Sequence, residues 1–326
     1  MLAAGCLFGA PASAQTFTVE RIENPAADLG KLVAADSGDT VFRIEPATGD
    51  VRKVSGTGSR MSASSARTQV TIKCSKGGKT LLCDSERALV QIASLGSTSG
   101  RARPLTNLTV AAGTGAASLP KKAGDVLIFS LGPMGENGTA TFYLGADFTI
   151  AGDSSGLATG PASAQFQVSV SRADGSGAST EAGIIQSTVL RPLSLVSNSM
   201  LNFGMVTRPS QGNGKIIIDP VTGARTLEGV GVQGFSSSGV GPAGFTVSGE
   251  GGQVFSVSVP ASFEMKTHGG SVTVTTSHNA TGFQSLRGKA GTAATATFNV
   301  GGTFPLTSTM RPGTYSGTFL VSVQYN

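Results

Sequence analysis

The chain has 326 residues, room for two domains of ordinary size, and its formal net charge of +5 is spread along a sequence with only 13% charged residues. Basic residues gather in nothing denser than pairs such as Lys121-Lys122, which excludes a nucleic-acid footprint; no stretch approaches the ~20 apolar residues of a membrane helix. Forty-six glycines, abundant Ser and Thr and no Trp describe an extracellular all-β protein of many short strands and turns.

In chain order, the apolar stretch Met1 to Ala10 leads into Pro11-Ala-Ser-Ala-Gln15. Small residues at Ala12 and Ala14 suit cleavage before Gln15, so 1–14 is expected to be a signal peptide. Cys6 has almost no hydrophobic segment before it, which argues against lipid attachment. Gln15 to Glu20 alternates, with Phe17 and Val19 on one face, and is expected to open the first domain. Removing the leader leaves two cysteines, Cys74 and Cys83, flanking a Gly-containing stretch that reads as a hairpin turn. In an exported protein they are expected to form a disulfide, worth roughly 2–3 kcal/mol for so short a loop. Arg87 to Ser94 fits either a helical turn or a strand.

A spacing then repeats. Asp28-Leu-Gly30 and the run Val41 to Gly49, with its Glu45-Pro-Ala-Thr-Gly turn, recur as Asn202-Phe-Gly204 and Ile216 to Gly223, with Asp219-Pro-Val-Thr-Gly. Thr71 to Cys74 aligns with Thr246 to Gly249, Ala140 to Ile150 with Ala296 to Leu306, and Phe166 to Val170 with Phe319 to Val323. This pattern reads as one domain written twice. The expected architecture is all-β, two tandem antiparallel β-sandwiches, immunoglobulin-like or pilin-like, over 15–172 and 184–326. Gly/Ser-rich residues 173–183 read as a linker.

The last stretch alternates from Gly313 to Asn326. Tyr315, Phe319, Val321, Val323 and Tyr325 fall on one side, and a turn at Pro312-Gly313 launches the run. Gly313, fourteen residues from the end, and the penultimate Tyr325 resemble the ending of bacterial chaperone–usher pilus subunits. From about Val189 onward the chain more closely resembles a secreted bacterial family known as domain of unknown function 4402. Leu201-Asn-Phe-Gly204, Ile218-Asp-Pro220, Gly244 to Gly249, Val300-Gly-Gly302 and Gly313 to Gly317 carry that likeness. The pilus likeness implies assembly by strand exchange, with other pilus or surface subunits, a periplasmic chaperone and an usher as partners. It also implies a secreted or cell-surface location reached through the periplasm. Gly313, Tyr315, Phe319, Val321, Val323 and Tyr325 would then form the assembly strand.

Three spellings suggest chemistry and then lose it. Gly229-Val-Gly-Val-Gln-Gly234 fits a dinucleotide fingerprint, but no helical pattern follows it. Gly152-Asp-Ser-Ser-Gly156 resembles a nucleophile elbow, yet the only histidines, His268 and His278, stand in the other copy beside turn residues. The sequons at Asn107, Asn137 and Asn279 read as polar loops. No sugar platform of exposed Trp or Tyr is evident. The chain is therefore read as a non-enzymatic surface protein without cofactor or metal, a pilin-like fimbrial or tip subunit; an adhesin acting outside a pilus is the alternative. Any specificity for a surface or host ligand is expected in the first copy, whose loops between Cys74 and Asp125 are longer.

Overall fold

The computed structural model describes residues 16–62, 64–75, 81–135, 137–235 and 238–326, so the leader expected over 1–14 lies outside the described residues. The chain divides into two units, Met1–Leu190 and Arg191–Asn326. It is all-β in both, apart from two single turns of helix.

The first unit runs through β1 (Phe17–Glu23), β2 (Ala26–Val33), β3 (Thr40–Ile44), β4 (Val51–Ser55), β5 (Ser59–Arg60) and β6 (Thr68–Cys74). The short helix α1 (Leu81–Ser85) leads to β7 (Ala88–Ser99), β8 (Thr106–Ala112), β9 (Lys121–Ala123) and β10 (Val126–Leu131). Then come β11 (Thr139–Ile150), β12 (Gly160–Ser171) and β13 (Ser179–Leu190). One sheet has the order β1-β6-β11-β3-β4 with β8 also on β11; the other is β5-β2-β13-β12-β7-β10-β9. Alternation decides which side chains face inward. In β6 these are Val70, Ile72 and Cys74, and in β12 Ala162, Ala164, Phe166, Val168 and Val170, all buried. The two inner faces share one core, across which Phe129 of β10 meets Phe142 of β11 edge to face at 5.1 Å.

The sequence expectations hold for the strands more than for the joints between them. Residues 173–183 do not link two domains. They form the turn and the first half of a hairpin in which β13 pairs antiparallel with β12, from Val170↔Ser179 to Gly160↔Val189. The Gly and Ser residues read as linker composition make this turn: Gly175 and Gly177 take positive φ, and Asp174 accepts hydrogen bonds from the Ser176 backbone and hydroxyl. The boundary therefore falls after Leu190 rather than at 172–184. Cys74 and Cys83 are bonded, with sulfurs 2.08 Å apart. The bond joins the end of β6 to α1 instead of crossing a strand–strand hairpin. Arg87 to Ser94 falls almost wholly within β7.

The second unit runs through β14 (Ser194–Ser197), β15 (Gln211–Ile218), β16 (Arg225–Val230), β17 (Ala243–Glu250) and β18 (Val254–Ser258). It continues with β19 (Ser262–Thr267), β20 (Gly270–His278), β21 (Gln284–Ser285), β22 (Ala293–Thr307) and β23 (Ser322–Tyr325). Its larger sheet, β14-β17-β22-β15-β16 with β20 on β22, repeats the strand order of the first unit's β1 sheet and adds β19 on β20. The register repeats as well. Phe42↔Phe148 and Val70↔Phe142 have their counterparts in Ile216↔Phe304 and Phe245↔Phe298.

The turns match in detail. The Gly49 N–H donates to the Glu45 carbonyl at 2.7 Å, and the Gly223 N–H to the Asp219 carbonyl at 3.0 Å. The prolines of these turns press on Gly145 and Gly301, where an added Cβ would meet Pro46 Cδ at 2.7 Å and Pro220 Cδ at 2.9 Å. Only glycine tolerates so close an approach.

Candidate functional site: a groove in the second unit

The second sheets of the two units differ. In the first unit β2 and β12 are held apart and joined by β13, which pairs parallel with β2 (Ile185↔Ala27, Val189↔Leu32) and antiparallel with β12. Of a second sheet, the described residues of the second unit keep only β21-β18-β23. The residues that correspond to β2, at the same offset of 174, are 200–207. They retain β2's local shape: Gly30 and Gly204 both have φ 76°, and their N–H groups donate to Asp28 Oδ1 at 2.7 Å and Asn202 Oδ1 at 2.9 Å. They also retain its outer neighbour, because Leu32↔Arg60 reappears as the isolated bridge Val206↔Gly234. On the inner side no strand of the described residues lies along them.

The counterpart of β12 is opened in the same way. Gly160 to Ser171 corresponds to Gly313 to Gln324, and the pair Ser163↔Ser99 recurs as Ser316↔Lys266. At the far end Val90↔Val170 recurs as Val257↔Val323. Between these points residues 317–321 make no backbone pairing with described residues. The expected strand from Gly313 to Tyr325 is thus regular only over Ser322–Tyr325, because a strand needs neighbours to hold its backbone groups and 317–321 have none.

Between 201–208 and 310–315 lies a groove of about 820 Å³. Its floor is apolar: Phe203, Ile216, Phe304 and Leu306 are buried, with Phe304 ringed by Phe203 and Tyr315, each at 5.5 Å. Its rim holds Met205, 65% exposed, and Arg208 and Arg311; no acidic residue lines it.

The six residues read as an assembly strand separate into two groups. Gly313 and Tyr315 line the groove. Phe319, Val321 and Val323 are half-buried further along, Phe319 against Phe263 at 5.0 Å. Tyr325 is a structural anchor. It is buried, its hydroxyl accepts from the Glu250 N–H at 2.7 Å and donates to the Arg191 carbonyl at 3.1 Å, and Gly249 leaves room for it. The sequence reading overlooked Leu201 to Arg208 as a wall of the groove, although the repeat placed them opposite β2.

The remaining candidates are scattered. Ser154 sits in the 3₁₀ turn Asp153–Ser155 of the first unit, while His268 and His278 belong to the β19–β20 turn and the end of β20 in the second. Gly229 to Gly234 leaves β16, and no helix follows among the described residues. No group of three His, Cys, Asp or Glu suited to a metal occurs among the described residues. No described helix is long and apolar enough to cross a membrane. In the first unit the described residues between Cys74 and Asp125 form a cleft of only about 100 Å³, where Lys122 Nζ donates to Asn107 Oδ1 at 2.8 Å.

Residues 193–325 match the model of a family described as Domain of unknown function (DUF4402). No curated protein matches the chain. Among solved structures, one of the chaperone–tip adhesin complex of CFA/I fimbriae biogenesis aligns with 94% of this chain and 98% of its own. The identity is 10% and the TM-score 0.24. The major pilin subunit BcpA of Bacillus cereus aligns over 78% of this chain and 62% of its own, at 8% identity and TM-score 0.26. The CfaE adhesin of enterotoxigenic E. coli covers 93% of each chain at 11% identity and TM-score 0.21. Likenesses at this level carry no functional argument.

Proposed function

We propose that the protein is a non-enzymatic, pilus-like surface subunit whose second unit accepts a β-strand from a partner subunit. The observation that supports this reading is the groove between 201–208 and 310–315, which lies where β13 completes the first unit. A donated strand would satisfy the inner edge of 200–207 and the unpaired backbone of 317–321, and would cover the Phe203–Phe304–Tyr315 floor. Main-chain hydrogen bonds then supply affinity and alternate side chains supply specificity. Each hydrogen bond is worth about 0.5–1.5 kcal/mol net, and apolar burial adds about 25 cal/mol per Å². Among its described residues the first unit holds no such vacancy, since β1 pairs along β6 and β13 fills its second sheet. The unit that accepts a strand and the unit that is self-contained are therefore different. Export through the periplasm suits a chain with a disulfide in its first unit.

The test is amide exchange on the full chain, with and without alternating apolar peptides, beginning with the 12-residue sequence of β13. Binding is expected to protect the amides of 200–207 and 317–321 and to raise the Tm of the second unit. A peptide at a hundred times its Kd would add about 2.7 kcal/mol. If no peptide in the set protects those amides while scrambled controls behave alike, the strand-accepting reading is wrong.

A further inference from the structure

The groove has a direction and a charged end, and together they describe the strand that fits it. Resting on the strand-accepting reading above, we propose that the partner strand carries acidic side chains immediately after its last aliphatic residue, placed against Arg208 and Arg311.

Direction comes from the first unit. β13 runs parallel to β2, its last pairs being Thr188↔Lys31, Val189↔Leu32 and Leu190↔Val33. At the offset of 174 these β2 residues become Met205, Val206 and Thr207, so the carboxyl end of an occupant in this register arrives beside Arg208. The other edge gives the same end independently. Val189 pairs with Gly160, whose counterpart is Gly313, two residues beyond Arg311.

Charge comes from the second unit alone. The first-unit counterparts of Arg208 and Arg311 are Ala34 and Ala158, so both cations appear only where the strand place is open. Both guanidinium-bearing residues are exposed and both line the groove. Arg208 Nη1 donates to the Met310 carbonyl at 3.2 Å, and the Arg311 guanidinium lies over Gly269 in the β19–β20 turn. Neither forms an ion pair with a described residue, and no Asp or Glu lines the groove. Two cations with free donors at the exit of an apolar, two-edged slot complement a carboxylate leaving that slot. The same cations disfavour a strand with Lys or Arg there, so they select the orientation of the occupant as well as its sequence.

The experiment uses the full chain and four labelled, amidated peptides built on the β13 sequence. Three carry Asp-Glu, Asn-Gln or Lys-Lys after the last aliphatic residue, and the fourth carries Asp-Glu before the first residue. Anisotropy titrations are expected to show the C-terminal acidic peptide binding about three- to tenfold tighter than the Asn-Gln peptide, the range for two exposed charge contacts. The Lys-Lys peptide should bind most weakly. The advantage should vanish in about 1 M salt, where the screening length falls to about 3 Å. It should vanish too in the double variant Arg208→Gln/Arg311→Gln, whose Tm and amide-exchange pattern without peptide, matching those of the unaltered chain, show that the fold is intact. Equal binding by the three C-terminal peptides, or an advantage for the acid at the amino end, overturns this proposal and leaves strand acceptance standing. Binding by none of the four overturns both.

Discussion

The two units use one plan for the first sheet and part company at the second. In the first unit, 26–33 and 160–171 are regular strands with β13 between them. In the second, 200–207 keep the spacing, the Asx turn and one outer bridge, and 313–321 keep only the bridge Ser316↔Lys266, yet neither is a regular strand. A strand's backbone groups need partners on both edges or water on one, and in the second unit 200–207 have no strand along their inner edge while 317–321 have no described partner on either edge. The core shows the same contrast. Phe166 is fully buried with β13 across from it, whereas its counterpart Phe319 is half-buried against Phe263.

That contrast can be broken most directly at these two rings. Phe166→Ala is expected to cost the first unit about 3–5 kcal/mol, as deletion of a fully buried aromatic does, seen as a lower Tm and an earlier denaturant midpoint. Phe319→Ala should cost the second unit about 1 kcal/mol, because less apolar area is lost from the core. The gap should narrow when a strand peptide is bound, and equal costs in the free protein would show that the second unit is already closed.

Reduction of Cys74–Cys83 comes next in size. Opening a loop with a sequence separation of 9 should destabilise the first unit by about 2.5 kcal/mol on the chain-entropy estimate. Calorimetry with and without reductant should move the first unit's transition alone; a shift of the second would mean that the units unfold together.

The smallest effect separates the matched turns. Asp219 accepts the N–H groups of Thr222 and Val221, each at 2.8 Å, and these bonds hold its carboxyl below the ordinary 3.8. At the matching position Glu45 instead accepts from Arg52 Nε at 2.9 Å. Because the folded value is depressed, Asp219 stabilises the second unit above its ordinary value, and the contribution is lost as pH falls through the folded one. Asp219→Asn should lower the second unit's Tm slightly at neutral pH and leave it unchanged in strong acid. A constant difference across that range would show that the carboxylate's charge is irrelevant.

Much of this was legible in the sequence. Alternation put Phe17 and Val19 on one face, and both are buried; the Pro-x-Thr-Gly turns announced the repeat, and two cysteines in a chain expected to be exported announced their bond. The hidden parts depend on distant neighbours. Ser179 to Leu190 opens with polar residues and carries Gly183 in mid-strand, which local propensity reads as linker. Gly183 is there because Phe166 lies opposite, where an added Cβ would come within 2.3 Å of the ring. The alternation from Gly313 to Tyr325 was real, but whether it becomes a strand is decided by what lies beside it. Five residues of α1 are too few to show a helical period.

The hairpin that replaced the supposed linker has a mechanical meaning. Leu190 ends β13 and Arg191 begins the second unit, so any pull passed along the chain from the second unit enters the first at the carboxyl end of β13. That strand is bonded lengthwise to β12 on one side and β2 on the other. Tension along it loads both rows of hydrogen bonds together, and the strand must slide past two neighbours at once instead of peeling off one bond at a time. A flexible tether at 173–183 would have let the load pass by; a strand in its place makes the first unit a clamp.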